Sequence, residues 1–152
     1  MFAMAEATYE QAVIAANLVG ALGKRLRGED CRVIGSGLLV EASEDGLVTY
    51  PTALVIRGAP EFVGPTRLVV SNPKLVVDVA SGGRAMAYRK NRTLQQYVLV
   101  ASEEARVEAY QRAEDGTWSL RELSWREAVA ELESVGCAVP LGEVYAGVAL
   151  EA

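Results

Sequence analysis

The ten residues Asn72-Pro73-Lys74-Leu75-Val76-Val77-Asp78-Val79-Ala80-Ser81 constrain this chain more than any other stretch. Leu75–Val79 reads as a β-strand, and its near-continuous apolarity predicts a central strand covered on both faces. Asp78 sits inside that run. A carboxylate taken out of water among valines needs a partner or a metal. Asn72-Pro73 before the strand and Gly82-Gly83 after it punctuate the chain. The fold must therefore place a layer on each side of this strand and supply something for Asp78.

The rest of the chain reads as elements that can do this. Thr8-Tyr9-Glu10-Gln11 forms a capping box, after which Ile14, Leu18, Leu22 and Leu26 recur every fourth residue as one apolar helical stripe. Gly20 and Gly23 each weaken that helix by about 1 kcal/mol relative to alanine, so close packing against a neighbour is expected at both. Lys24, Arg25 and Arg27 suit its negative end, and Gly28 is a natural stop. Strands are predicted at Cys31–Ile34, Leu38–Glu41 and Leu47–Ile56, the last interrupted by Pro51, with a hairpin turn over Ser43–Gly46. Gly58–Thr66 is a loop, Leu68–Val70 a strand and Arg84–Asn91 a short helix. Tyr97–Ala101, Arg106–Arg112 and Trp118–Leu123 then read as an antiparallel meander. Trp125–Leu132 is ambiguous in type, and Pro140–Tyr145 reads as a terminal helix. This is an α/β (α+β) pattern, a mixed central sheet flanked by helices, expected as one domain over 1–152.

Composition narrows the chemistry. The 152 residues are 51% apolar, enough for a single core. The chain has no histidine, which removes Ser-His hydrolase, zinc-hydrolase and histidine-relay readings. A net charge of −5 argues against strong nonspecific nucleic-acid binding. Basic clusters at Lys24-Arg25-Arg27 and Arg84/Arg89-Lys90-Arg92 read as solvated surface. No apolar run nears the roughly 20 residues that span a bilayer, so a cytoplasmic protein without a membrane partner is expected. Cys31 and Cys137 are expected as buried free thiols.

Several separate words now line up in order. They are Tyr50-Pro51-Thr52 before an apolar run, Pro60-Glu61-Phe62, the Asn72–Ser81 segment, Ala87-Tyr88-Arg89, Tyr97–Val100 and Val139-Pro140-Leu141-Gly142-Glu143-Val144-Tyr145. Together they resemble the Uma family of bacterial restriction-endonuclease-like proteins, within the PD-(D/E)XK nuclease superfamily, over nearly the whole chain. The resemblance implies a mixed sheet flanked by helices, a magnesium-dependent phosphodiesterase site and frequently a homodimer. In such a site carboxylates hold a hard cation, the cation activates water, and positive charge stabilises the developing phosphorane.

Carried over position by position, that site is eroded. The family's metal-binding aspartate falls on Thr52. Its second acid falls on Asp78, one methylene shorter than the usual glutamate. The lysine two residues later would be Ala80, and the alternative lysine on the following helix is matched best by Arg84. The acid that usually precedes that lysine is missing beside Gly82-Gly83, a first-helix histidine is Gln11, and an early Ser-Asp pair reads Ser36-Gly37. Glu10, beside Gln11, is the other acid retained. Arg84 stays protonated and cannot act as a base, and its expected role is an ion pair with Asp78.

The reading that follows is a nuclease fold with vestigial positions at Asp78, Arg84, Thr52 and Glu10. Asp78 is a weak or lost metal ligand, no cofactor is expected, and magnesium enters only if activity remains. Such a protein would persist as a homodimeric scaffold or a subunit of a complex. One alternative is an active magnesium-dependent DNA endonuclease with a rearranged site built on Asp78, Arg84 and Glu10. Another is a noncatalytic nucleic-acid binder, which the net charge disfavours. Thr52 is expected close to Asp78, and Tyr88 and Tyr97 are expected as core or edge residues with a polar tip.

Overall fold

A computed structural model of the chain describes residues 7–35, 37–43, 46–80 and 85–150. Helix α1 (Tyr9–Arg25) begins at the capping box: Gln11 N–H donates to Thr8 Oγ1 at 3.1 Å, and Thr8 N–H to Gln11 Oε1 at 3.0 Å. Ile14, Leu18, Leu22 and Leu26 are all buried, as their spacing predicts. The expectation for Gly20 and Gly23 is corrected. A methyl group at either position would meet nothing within 4 Å among the described residues, so no packing by them offsets the cost to the helix.

The chain continues through β1 (Cys31–Ile34), β2 (Leu39–Glu41), β3 (Val48–Thr49), β4 (Ala53–Arg57), β5 (Val69–Val70) and β6 (Leu75–Ala80). After α2 (Ala85–Tyr88) come β7 (Gln96–Ala101), β8 (Val107–Arg112), β9 (Trp118–Leu123), β10 (Val129–Leu132), β11 (Cys137–Pro140) and α3 (Leu141–Val144). Six strands make one sheet in the order β1-β4-β6-β7-β8-β9, antiparallel throughout except for the parallel pair β6–β7. The predicted meander is therefore β7–β8–β9. The ambiguous stretch 125–132 contributes β10, paired with β11.

Leu47–Ile56, read as one interrupted run, is two strands in two different sheets. β3 pairs with β2, which pairs in parallel with β5, while β4 joins the central sheet. The crossing falls at Tyr50-Pro51-Thr52. Proline has no N–H to give to a ladder, so a chain that leaves one sheet and enters another can pass through it without orphaning a donor.

Alternation along the strands builds two cores. Ala53 and Val55 of β4, Leu75, Val77 and Val79 of β6, and Val98 and Val100 of β7 pack with α1, the β10–β11 hairpin and α3. Leu54, Ile56, Val76, Tyr97 and Leu99 face the other way and pack with Val40, Val70, Tyr88 and Leu94. On that second face the cover is the small sheet, α2 and the segment after α2.

The C-terminal layer is fastened to α1 by polar contacts. Asn17 Nδ2 donates to the Val144 and Ala146 carbonyls at 2.9 and 2.8 Å. The Arg25 guanidinium forks onto Glu143, with both bonds at 2.8 Å, and Lys24 reaches the same carboxylate at 3.4 Å. Two members of the first basic cluster are thus paired with an acid and are not simply solvated. The Arg25 hydrogen bonds pull the Glu143 carboxyl down to about 2. Tyr145 donates its buried phenol toward the Ala101 and Arg106 carbonyls, and burial pushes it up to about 12. Cys31 and Cys137 are free, as expected, but half-buried, and burial raises the Cys137 thiol.

Candidate functional site

The direction of Asp78 follows from β6. Because its neighbours Val77 and Val79 turn toward α1, Asp78 turns toward the second core, where it is 4% exposed. The parallel register pairs Asp78 with Leu99 and Val76 with Tyr97, which makes Tyr97 a diagonal neighbour on the same face. Its phenol donates to Asp78 Oδ2 at 2.7 Å. A hydroxyl-to-carboxyl bond of this length satisfies both buried groups.

Thr52 meets Asp78 as the sequence predicts. The antiparallel register of β4 and β6 pairs Ala53 with Val77, and Thr52 lies one step before β4. Its N–H donates to Asp78 Oδ1 at 3.3 Å, and its Oγ1 accepts the Val79 N–H at 3.0 Å. Thr52 thus bridges the ends of two central strands.

The network extends away from Asp78 through aromatic rings. Tyr97 stacks on Tyr88 with centroids 5.3 Å apart and an interplanar angle of 28°. Tyr88 shares a hydrogen bond with Thr49 Oγ1, which joins α2 to β3 of the small sheet. Beyond Tyr88, the buried Asn91 side chain accepts from the Thr93 and Leu94 N–H groups and donates to the Glu41 carbonyl at 2.7 Å. Asn72 of the Asn-Pro word does similar work, accepting Glu61 N–H at 2.8 Å and donating to the Ala59 carbonyl at 3.0 Å. It fixes the loop that follows β4.

Arg84 and Ser36 lie outside the described residues. Glu10 is exposed in the first turn of α1, a helix packed on the opposite face of the sheet from the Asp78 side chain. Its neighbour Gln11 reaches Ser102, just past the end of β7, at 3.5 Å. Tyr97, expected as a core or edge residue, is buried and is also a partner of Asp78, a role its place in the sequence does not announce. The signal lay in the β6–β7 register, which fixes which aromatic residue becomes the diagonal neighbour.

The family model named Uma2, described as "Putative restriction endonuclease", matches residues 1–140. The chain belongs to this family. It is 26% identical to the uncharacterised protein slr1290 of Synechocystis sp., over 98% of this chain and 81% of that protein. It is 29% identical to a second uncharacterised Synechocystis protein, sll1609, over 76% of this chain and 70% of its relative. The mixed sheet with α1 on one face is the restriction-endonuclease-like α+β architecture expected of such a chain. Among the described residues no helix is long and apolar enough to cross a membrane.

The family's implied magnesium can be tested against the donors present. Magnesium demands near-octahedral oxygen coordination at about 2.0–2.1 Å, usually with carboxylates among the ligands. Here each Asp78 oxygen accepts a protein hydrogen bond, and the Thr52 hydroxyl accepts the Val79 amide. Among the described residues no group of three or more Asp, Glu, His or Cys side chains is gathered. The donors among the described residues do not fit the ion.

Proposed function

We propose that this chain is a degenerate restriction-endonuclease-like protein, one domain over 1–152, in which the fold outlives the phosphodiester-cleaving chemistry. The observation that carries the reading is the bridge made by Thr52. At the position where the family's aspartate would face a cation, a neutral hydroxyl accepts the Val79 N–H, and the adjacent N–H donates to Asp78. The one acid kept on β6 is turned to holding Tyr97 and Thr52 together. With no second carboxylate gathered beside it among the described residues, no water-activating cation is held there, and Arg84, being permanently protonated, supplies no base. A protein of this kind acts through its surface, as a homodimeric scaffold or a subunit of a complex.

The test is cleavage of supercoiled plasmid DNA by the purified protein with Mg²⁺ or Mn²⁺, alongside Asp78→Ala. The expected result is no cleavage by either protein. Cleavage by the wild type that disappears in the variant overturns the reading in favour of an active, rearranged site. The variant Thr52→Asp, which returns a carboxylate beside Asp78, is expected to raise Mn²⁺ affinity. No gain at all would show that Thr52 is not at the metal position.

A further inference from the structure

The face of the sheet that carries Asp78 does not end at the small sheet. Over β8 and β9 it opens into a groove of about 600 Å³, inside the size range of small-molecule sites. Its floor is a cross-strand row: Tyr97 pairs with Tyr110, and Tyr110 with Leu120. Trp118 stands beside this row, two residues from Leu120 on the same face of β9. Leu120 is 52% exposed, an apolar side chain left in water at the groove wall.

The walls are held in place before anything binds. The Arg112 guanidinium lies 4.8 Å from the Trp118 ring centroid and donates to the Arg89, Asn91 and Arg92 carbonyls at 3.0, 2.7 and 3.3 Å. One face of the indole is therefore packed on an anchored plane. At the rim, Asp115 Oδ1 accepts the Thr117 N–H at 3.0 Å and its hydroxyl at 2.7 Å, which fixes the turn between β8 and β9. At the floor, the Tyr97 phenol is tied to Asp78. Rigid aromatic surfaces with hydroxyl groups at the edge suit a flat ring carrying polar atoms on its perimeter.

We propose that this groove binds a planar nitrogen heterocycle of nucleobase size, stacked on Trp118 and Tyr110 with its polar edge toward Thr117. The ring could come as a free nucleoside or as a base at the end of a single strand, and the shared chemistry is the stacked heterocycle. The chain has two tryptophans, so Trp125→Phe leaves Trp118 as the sole indole reporter. In that background, emission is followed while adenosine, cytidine, a short single-stranded oligonucleotide or cyclohexanol is added.

A saturable change with adenosine or cytidine is expected, half-complete at or below about 1 mM, and none with cyclohexanol. Tyr110→Ala should weaken binding roughly tenfold, the scale of one lost stacking partner. Circular dichroism of that variant confirms that the sheet is intact, and Leu120→Ser, at an exposed position, provides a second perturbation of the wall. Tighter binding of the oligonucleotide than of the nucleosides identifies strand ends as the source, and the reverse identifies the free nucleoside. No saturable change with any heterocycle up to about 10 mM would overturn the proposal. So would binding that neither Tyr110→Ala nor Leu120→Ser alters. Because no metal and no cleavage enter the readout, the outcome is independent of the plasmid assay.

Discussion

The two faces of the central sheet solve the same burial problem by different means. Against α1, the sheet presents Ala53, Val55, Leu75, Val77, Val79, Val98 and Val100, a surface that needs only shape. Against the small sheet it presents a polar line, Asp78 to Tyr97 and Tyr88 to Thr49, set among Leu54, Ile56, Val76 and Leu99. The first face can lose one side chain and still be a hydrophobic core. The second depends on partners: removing one member leaves another group buried without its bond, and the cost of that group's desolvation then appears in full. Asp78 supplies that second face with hydrogen-bond acceptors that the apolar face does not need.

The largest effect should come from the apolar face. Leu75→Ala, at a fully buried position, is expected to cost about 2–5 kcal/mol by lost transfer energy and a cavity. Chemical denaturation at constant m-value reads it directly. Asp78→Ala should follow at roughly 2–4 kcal/mol, because the Tyr97 phenol and the Thr52 N–H lose their acceptor. Asp78→Asn keeps an acceptor and should recover at least half of that loss. If Asp78→Ala and Asp78→Asn prove equally mild, the polar face is not held by hydrogen bonding and the contrast between the faces fails.

Tyr97→Phe comes next, at about 1–2 kcal/mol, and should be non-additive with Asp78→Ala in a double-mutant cycle. Strict additivity would separate the two residues. On the solvent side of α1 the sign reverses. Gly20→Ala and Gly23→Ala are each expected to stabilise by up to about 1 kcal/mol, since the added methyl groups meet open space. A raised melting temperature checks it; a lowered one would mean that a neighbour does pack there.

The smallest effect is a pH dependence. The Glu143 carboxyl is held at about 2 by the Arg25 fork, below the roughly 4.3 of an unfolded glutamate. A depressed carboxylate contributes stability above its unfolded value and loses it as pH falls through the folded one. Part of the acid limb of the stability curve between about pH 4.5 and 2 should therefore vanish in Glu143→Gln. An unchanged limb would show that the α1–α3 clasp is not electrostatic.

Much of the apolar face was legible in the sequence, because it depends on periodicity alone. The stripe from Ile14 to Leu26 and the unbroken run of β6 each name their own buried face. Pro51 marked a break in a run but not a change of sheet, since that depends on which distant strands β3 and β4 find. The polar face was half legible. Thr52 and Asp78 were placed together by family spacing, and their proximity follows from the β4–β6 register. Tyr97 was not seen as the partner because a diagonal contact between parallel strands exists only once β6 and β7 are aligned. The packing expected at Gly20 and Gly23 failed for a related reason. A glycine can mark close approach or plain tolerance on a solvent face, and one sequence does not separate them.

On the proposed reading, Asp78 is engaged by the protein's own donors and not by a cation. Calorimetric titration of Mn²⁺ into the wild type and Asp78→Asn tests it most directly. The account predicts no wild-type binding tighter than about 1 mM, and no difference between the two proteins. Saturable binding by the wild type that Asp78→Asn abolishes would contradict it.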